Sequence, residues 1–462
     1  FESLQDNLLG FPKDVDMDRD ALLALDDWSL LERVARDTWS YFANIVDRRH
    51  QLPLNRVKLS WQKEIGDYVS PTDIAFYYLA TVSALELGFI REDEAKQRIT
   101  SSLKTVALLP KWKGFLYNYY NTTNLQVTNR FVSTVDNGWF AAALLVVKAR
   151  FREELGSVVE PFLAAMDFHE LYDPHEGRFH LGYDDDAGHL SRYHYGLLVT
   201  EARVTSYVAI AKGDVEEEHW LRLYRVLPPD WDWQNQVPQG VMKTYDDLEI
   251  FQGYYEYEGK KIVPSWGGSL FEFLMPALLV IEGELGVSNL GENNRRAAEI
   301  HRDYALLKKR YPVWGISPCM LDKGPRSDYL ELGIKRIGAK GYREVAVVTP
   351  HASFLALEIL PEDAITNIRR LLDLYPVYGE YGFYDSVALR KPLVTKQYLA
   401  LDQGMILVAL ANALRGGAIR EYFHSSPETQ KIESLLGEEK FFDSNESVIH
   451  TNQLESGMKG EN

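Results

Sequence analysis

One glutamate lies where the helical pattern would place an apolar residue. The segment Tyr195–Ala211 has helical spacing, and its apolar stripe consists of Leu197, Val204 and Val208. Glu201 falls on the same stripe. Burial raises the pKa of a carboxyl group and keeps it protonated, as a general acid requires. A structural ion pair with a nearby arginine is the alternative. The cost of burying a carboxylate favours a functional role.

Four further acids lie beside glycines, aromatic residues or apolar helices. Glu272 stands between two phenylalanines after a Trp-Gly-Gly sequence, and Asp385 ends the aromatic run Tyr378–Asp385. Asp136 and Asp402 each precede an apolar helical segment, where an N-cap is the simpler interpretation. A first-turn charge explains Glu272 equally well, and an aspartate-mediated turn explains Asp385.

Aromatic residues are frequent in polar, glycine-containing stretches such as 117–120, 254–257 and 381–384. Amphipathic rings in loops suit sugar binding, because the C–H face of a pyranose packs on an aromatic face. Packing of the loops onto the core is the alternative. Two carboxyl groups flanking a glycosidic bond can cleave it, one as acid and the other as base or nucleophile.

The elements that must position these side chains are mainly helices. The predicted helices are Trp28–Trp39, Asp73–Leu87, Gly138–Phe151, Pro161–Met166, Tyr195–Ala211, Pro276–Leu285, Asn293–Lys309, His351–Ile359, Pro361–Leu374 and Leu401–Leu414. Strand-like runs are few, and the best are Lys261–Pro264 and Arg343–Thr349. Helical hairpins with long aromatic loops and no sequence repeat favour an all-α fold closed into a toroid. One domain is predicted over 1–425, followed by a polar, poorly ordered tail over 426–462.

Composition excludes several classes of function. The 462 residues carry 50 basic and 67 acidic side chains, and the net charge of −17 disfavours nucleic-acid and membrane-surface roles. No apolar run is long enough to span a bilayer. The single cysteine, Cys319, excludes an intrachain disulfide and fits either a cytoplasm or a bacterial periplasm.

No cofactor or metal is predicted. The sequence lacks a dinucleotide-binding glycine fingerprint, a nucleophile elbow and the usual metal spacings of histidine and cysteine. His169, His175, His180 and His189 lie near the run Asp184–Asp186, which could bind a hard cation but is more typical of a solvated loop.

Eight strings occur in this order along the chain: Ser70–Asp73, Gly114–Tyr120, Val132–Gly138, Thr200–Arg203, Ser265–Glu272, Val313–Ser317, Tyr381–Asp385 and Asp402–Gly404. Together they resemble the glycoamylase-like family of (α/α)6-barrel proteins, which includes endo-β-1,2-glucanases and the transglycosylase domain of cyclic β-1,2-glucan synthases. The resemblance covers about residues 28 to 415. The chain differs from the family at Asn118-Tyr119-Tyr120 and at Pro350-His351-Ala352.

The resemblance implies roles for individual residues. Glu201 matches the acid that protonates the leaving oxygen, and Asp385 matches the base of the inverting members. Glu272 matches the second carboxylate of the retaining transglycosylases, and Asp136 a substrate-binding aspartate. The expected substrate-binding set is Asp136, Trp266, Tyr119, Tyr120, Asn118, Tyr255, Phe383, Tyr384, Arg203 and Gln403.

The expected function is therefore a glycoside hydrolase acting on an oligo- or polysaccharide, with a β-1,2-linked glucan expected by resemblance. A retaining transglycosylase and a sugar-binding protein without turnover are the alternatives.

Overall fold

The computed structural model describes residues 1–437 and 439–443, which form helices joined by short strands and loops. The α-helices are α1 Glu2–Asp6, α2 Arg19–Leu23, α3 Asp27–Asn44, α4 Pro71–Glu86, α5 Glu92–Leu108, α6 Thr134–Arg150, α7 Arg152–Ala165, α8 Arg203–Lys212, α9 Glu218–Arg222, α10 Leu270–Leu274, α11 Glu282–Leu285, α12 Leu290–Asp303, α13 Pro350–Leu355, α14 Pro361–Leu374, α15 Ala400–Leu414, α16 Ala418–His424 and α17 Pro427–Gln430. Short 3-10 helices lie at Phe168–Leu171, Met275–Leu278, Lys335–Ile337 and Glu433–Leu436, and a π-helical turn lies at Tyr304–Lys308.

The strands are short, and there are more of them than predicted. They are β1 Arg56–Lys58, β2 Glu64–Gly66, β3 Tyr68–Val69, β4 Asn118–Asn121, β5 Val127–Ser133, β6 Tyr172–Asp173, β7 Arg178–Phe179, β8 Gly182–Asp184, β9 His189–Leu190, β10 Gln239–Tyr245, β11 Leu248–Tyr257, β12 Lys260–Ile262, β13 Cys319–Lys323, β14 Arg326–Leu330, β15 Val347–Val348, β16 Tyr378–Gly379, β17 Gly382–Phe383, β18 Ser386–Ala388, β19 Leu393–Thr395 and β20 Gln397–Leu399. The paired strands described are all antiparallel. The largest sheet has the order β3-β4-β5-β8-β9 and leads through Ser133 directly into α6.

Six helices, α4, α6, α8, α10, α13 and α15, form the centre of the molecule. Neighbours along α10–α13–α15–α4–α6–α8 are in contact. Arg203 at the start of α8 donates hydrogen bonds to the carbonyls of Glu272 and Phe273 in α10, which joins the two ends of the series. Side chains of these helices are buried almost throughout.

A second set of helices packs against the central six. Helix α3 contacts α4 and α15, α5 contacts α4, α7 contacts α6, α12 contacts α10 and α14 contacts α13. These helices bury one face and expose the other, as their helical spacing of apolar residues predicts. None of the described helices combines the length and apolar character that a bilayer crossing needs.

Several predicted helices are wrong in part. Helix α7 begins at Arg152 and not at Pro161, and α13 ends at Leu355 and not at Ile359. Residues 195–202 are not helical, because the backbone of this segment pairs with Phe179 and Tyr224 instead. The helix predicted over Pro276–Leu285 is broken into the tight turn Met275–Leu278 and the short α11. Pro276 has no backbone N–H and so cannot continue the hydrogen-bonding pattern of α10.

The described part of the predicted tail packs against the rest of the chain. The carboxylate of Glu439 bonds the buried guanidinium of Arg225, with both nitrogen–oxygen distances at 2.5–2.6 Å. Asn289 donates to the carbonyls of Leu436 and Glu439, and Phe441 is buried in the core. Residues 426–437 and 439–443 are therefore ordered by contacts that a polar composition does not reveal. The remainder of that predicted tail lies outside the described residues.

Gly404 tests the close contact of α15 with α4. A β-carbon at Gly404 would lie 2.5 Å from the side chain of Phe76, well inside contact distance. We expect Gly404→Ala to lower the free energy of unfolding by about 1–3 kcal/mol, measured by urea denaturation. Gly156→Ala in α7, where a β-carbon meets nothing within 4 Å, is the control and should be neutral or stabilising by up to about 1 kcal/mol. Equal effects of the two substitutions would contradict the packing.

Candidate active site

Acidic residues stand at the starts of five of the six central helices. Asp73, Asp136, Glu272 and Asp402 are each the third residue of their helix, in α4, α6, α10 and α15. Glu201 lies in the turn that leads into α8. A negative charge in the first helical turn is favoured, because the free N–H groups and the helix dipole carry positive partial charge there.

Serine caps explain why these helices begin where they do. Ser70 and Ser269 form reciprocal capping boxes with Asp73 and Glu272. Ser133 accepts the N–H of Asp136 and is the N-cap of α6, so the N-cap interpretation of Asp136 is wrong. The N-cap residue of α15 is Leu399, so the capping interpretation of Asp402 is wrong as well.

A cavity of about 480 Å³ lies beside these helix starts. Its wall includes four residues of the predicted site: Asn118, Tyr119, Asp136 and Glu201. Further polar and aromatic wall residues, which the sequence reasoning did not place in the site, include Asn55, Arg56, Tyr68, Ser70, Thr72, Asp73, Trp139 and Tyr329. Two carboxyl groups are held in the wall by neutral donors. Thr72 donates to Asp136 at 2.6 Å, and Asn55 donates to Asp73 at 3.0 Å.

Glu201 is half-buried in the cavity wall. Burial, and then the negative charge of Glu272, raise the pKa of Glu201 to about 8. The carboxyl group therefore holds a proton at neutral pH. The sequence analysis argued for a protonated Glu201 from a helix face, and that face does not exist at this residue because α8 begins only at Arg203.

Arg203, one of the arginines near Glu201 in the sequence, does not form the ion pair that was the alternative to a functional role. Its guanidinium is buried and bonds both carboxylate oxygens of Glu282, at 2.7 and 2.9 Å. It also donates to the carbonyls of Thr200 and Glu272, at 3.0 and 3.1 Å. Arg203 therefore holds the turn before Glu201 against the start of α10. It does not line the cavity, although it was predicted to bind substrate.

Glu272 is buried behind the cavity, with both carboxylate oxygens in use. One oxygen accepts the N–H of Gly267 at 2.8 Å. The other accepts the N–H and hydroxyl of Ser269, at 2.9 and 2.5 Å, and the hydroxyl of Ser265 at 3.3 Å. Burial raises the pKa of Glu272, and these hydrogen bonds act in the opposite direction. These contacts fit the interpretation of Glu272 as a charge in the first turn of a helix. To act as a nucleophile, its carboxylate would first have to lose some of these hydrogen bonds.

Asp385 is buried one layer behind the cavity wall. It accepts the backbone N–H of Met320, a wall residue, at 2.6 Å. Burial, and then the neighbouring carboxylate of Asp402, raise the pKa of Asp385 well above its usual range. Ligand atoms of His351, Asp385 and Asp402 lie within 4.8 Å of one another, so the trio could hold a shared proton or a cation. The predicted role of Asp385 as base stays a prediction.

Several predicted binding residues have structural contacts instead. The hydroxyl of Tyr120 donates to the carbonyl of Pro110, and that of Tyr255 donates to Gln234. Gln403 donates to the carbonyl of Phe383. Phe383 and Tyr384 are buried, packing on Phe354 and Tyr398 respectively. Trp266 is 37% exposed and lies beside Trp233, outside the cavity.

Some of the cavity-wall residues that were not predicted could have been found from the sequence, and others could not. Thr72 and Asp73 lie in a capping motif at the start of an apolar helix, as Asp136 does, and could have been found by the same reasoning. Tyr329 lies in the hairpin β13–β14, and only the folding of the chain brings it to the same cavity as Asp136 and Glu201.

Two protein-family models match the chain. The glycoamylase family model matches residues 235–427, and the model of a family described as of unknown function, DUF3131, matches residues 33–161. The resemblance to the glycoamylase-like proteins is confirmed. The glycoamylase match begins before α10 and includes Glu272, Asp385 and Asp402, while the other includes Asp73 and Asp136.

Two curated relatives align with most of the chain. The cyclic β-(1,2)-glucan synthase NdvB of Rhizobium meliloti is 25% identical over 88% of the chain and 18% of its own length. The exo β-1,2-glucooligosaccharide sophorohydrolase of Parabacteroides distasonis is 22% identical over 79% of the chain and 52% of its own length. The chain thus spans about a fifth of the first relative and about half of the second.

A solved structure shares the fold. The endo-β-1,2-glucanase of Chitinophaga pinensis, in complex with sophorotriose and glucose, superposes with a TM-score of 0.69 at 17% sequence identity. The match covers 90% of this chain and 99% of that one.

Proposed function

We propose that the chain is a glycoside hydrolase that cleaves a β-1,2-linked glucan, with Glu201 as the general acid. One observation carries the proposal: a carboxyl group with a pKa of about 8 stands in the wall of a cavity lined by carboxylates and tyrosines. A glycosidic oxygen needs a proton as it leaves, and an acid with a pKa near the working pH is the best donor.

The remaining wall residues suit a neutral sugar. Asp73 and Asp136 can accept hydrogen bonds from sugar hydroxyls, and Asn55 and Arg56 can donate to sugar oxygens. Tyr68 and Tyr119 contact each other edge to face, with ring centroids 5.1 Å apart, and offer apolar faces to a pyranose ring. The linkage is proposed from the relatives, which are named for β-1,2-glucan synthesis and β-1,2-glucooligosaccharide hydrolysis.

The six central helices form, in this proposal, the inner ring of an (α/α)6 barrel. Their contacts, and the bridge from Arg203 to α10, support this arrangement. In such a barrel the starts of the inner helices share one end, which would bring their acids to the same mouth. A single catalytic domain is retained as part of the proposal, and it includes residues 426–437 and 439–443, which pack against the rest of the chain.

A panel of glucans tests the substrate. The purified chain is incubated with β-1,2-, β-1,3-, β-1,4- and α-1,4-glucans, and the products are sized by chromatography. We expect products from the β-1,2-glucan alone. Cleavage of a different glucan instead would contradict the proposed β-1,2 linkage of the substrate. If no glucan is cleaved, the proposed hydrolase activity is wrong.

Product stereochemistry distinguishes the two catalytic schemes. Asp385 as base, acting through water, predicts inversion at the anomeric carbon, and Glu272 as nucleophile predicts retention. Because Ser265, Gly267 and Ser269 donate hydrogen bonds to the two carboxylate oxygens of Glu272, neither oxygen is free to attack, and we expect inversion. The anomer first formed is read by NMR, and retention with acceptor-dependent products would contradict the scheme.

A further inference from the structure

Three potential metal ligands converge on the surface hairpins that precede the Glu201 turn. Asp173 ends β6, and His180 and His194 face each other in an isolated antiparallel bridge. The Nε2 atoms of His194 and His180 lie 2.9 and 3.9 Å from Oδ2 of Asp173. The two imidazole rings have centroids 4.6 Å apart, and all three side chains are half-buried. None of the three lines the cavity of the candidate active site.

Hydrogen bonds fix which atoms face the centre of this trio. Nδ1 of His180 lies 2.6 Å from the carbonyl of Ser191, which can only accept, so Nδ1 carries the proton. In the neutral ring of His180, Nε2 then has a free lone pair, which points toward Asp173. Oδ1 of Asp173 accepts the backbone N–H groups of His175 and Glu176, at 3.0 and 3.2 Å, so Oδ2 is the oxygen turned to the imidazoles.

We propose that Asp173, His180 and His194 form a binding site for a divalent transition metal of the Zn²⁺ class. Two imidazole nitrogens and one carboxylate oxygen are a ligand set that such ions favour, and the partial exposure of all three side chains would let water supply a fourth ligand. An imidazole whose Nδ1–H is held by a backbone carbonyl is typical of metal-ligating histidine. The ligand atoms lie within 4.8 Å of one another, so shifts of about 1 Å bring them to coordination distance.

The site would stabilise the segment that carries the candidate acid. Tyr195, next to His194, pairs with the backbone of Phe179 and borders a small cavity together with Ala202 and Arg203. A metal held by His194 would thus anchor the chain seven residues before Glu201. Its role is structural, because the trio lies outside the cavity that the candidate acid lines.

Metal stoichiometry tests the proposal. The full chain, prepared without a histidine tag, is freed of metal with a chelator and titrated with Zn²⁺ by calorimetry, and the retained metal is counted by mass spectrometry. We expect one equivalent for the unaltered chain and binding weakened by more than about tenfold in Asp173→Asn and His194→Gln. His175→Gln and His189→Gln alter exposed histidines of the same region and should bind as the unaltered chain does.

Co²⁺ gives a readout of the ligand set that is independent of affinity. The unaltered chain loaded with Co²⁺ should show the visible absorption of a four-coordinate ion, which His194→Gln should lose while its circular dichroism without metal stays unchanged. No stoichiometric binding, or binding that survives in both Asp173→Asn and His194→Gln, would overturn the site. A proton shared between the imidazoles and Asp173 would then be the remaining explanation.

Discussion

Glu201→Gln should reduce turnover of the glucan by about three orders of magnitude. The amide has the shape of the protonated carboxyl group but cannot release a proton to the leaving oxygen. The loss should appear in kcat, because the amide can still make hydrogen bonds to a bound sugar. Steady-state kinetics on the substrate identified by the glucan panel measure it, and the thermal midpoint of unfolding should fall little or not at all.

Glu284→Gln is the matched control, because Glu284 is an exposed glutamate in the short helix α11. It should leave both kcat and stability unchanged. Near-normal turnover by Glu201→Gln would show that Glu201 is not the general acid. Such a result would contradict the proposed mechanism without contradicting the fold.

Arg203→Leu should lower the free energy of unfolding by about 3–5 kcal/mol. The substitution leaves the buried carboxylate of Glu282 without its cation, and Tyr207 and Asn294 remain as its neutral donors. It also removes the donors to the carbonyls of Thr200 and Glu272. Denaturant unfolding measures the change. Failure to obtain any folded protein of this variant would correspond to the largest destabilisation.

Arg295→Leu is the control for the loss of an arginine. Arg295 and Glu299 form an ion pair one helical turn apart in α12, with the arginine 49% exposed. Such pairs contribute about 0.3–0.5 kcal/mol, so this variant should be nearly as stable as the unaltered chain. Comparable losses in the two variants would contradict the role given to the buried pair.

Helices with clear ends could be predicted from the sequence. Pro361–Leu374 has the predicted bounds, because a proline starts it and its apolar residues keep helical spacing. Helix α4 begins at Pro71 after the N-cap Ser70, two residues before the predicted start at Asp73. The segment 195–202 shows the limit of this reasoning. Its apolar residues fit a helix, but the backbone hydrogen bonds of the folded chain go to distant residues.

The site could be predicted only in part for a similar reason. Acids at helix starts are visible in the sequence, and Asp136 and Glu201 do meet at the cavity. The local sequence around a tyrosine gives no sign of the direction in which its side chain points. Tyr119 lines the cavity, whereas the neighbouring Tyr120 is buried with its hydroxyl on Pro110. The hairpin that brings Tyr329 to the acids is a long-range contact, which local patterns do not encode.

The pH dependence of kcat/KM tests most directly whether Glu201 works as a protonated acid. This ratio reports the ionisations of the free enzyme. Because burial raises the pKa of Glu201 to about 8, the group is protonated below that pH and loses its proton above it. We expect kcat/KM to fall with one proton as the pH rises, with a midpoint near pH 8. A ratio that falls with a midpoint near the usual glutamate pKa of about 4.3, or that stays constant through pH 10, would contradict the account.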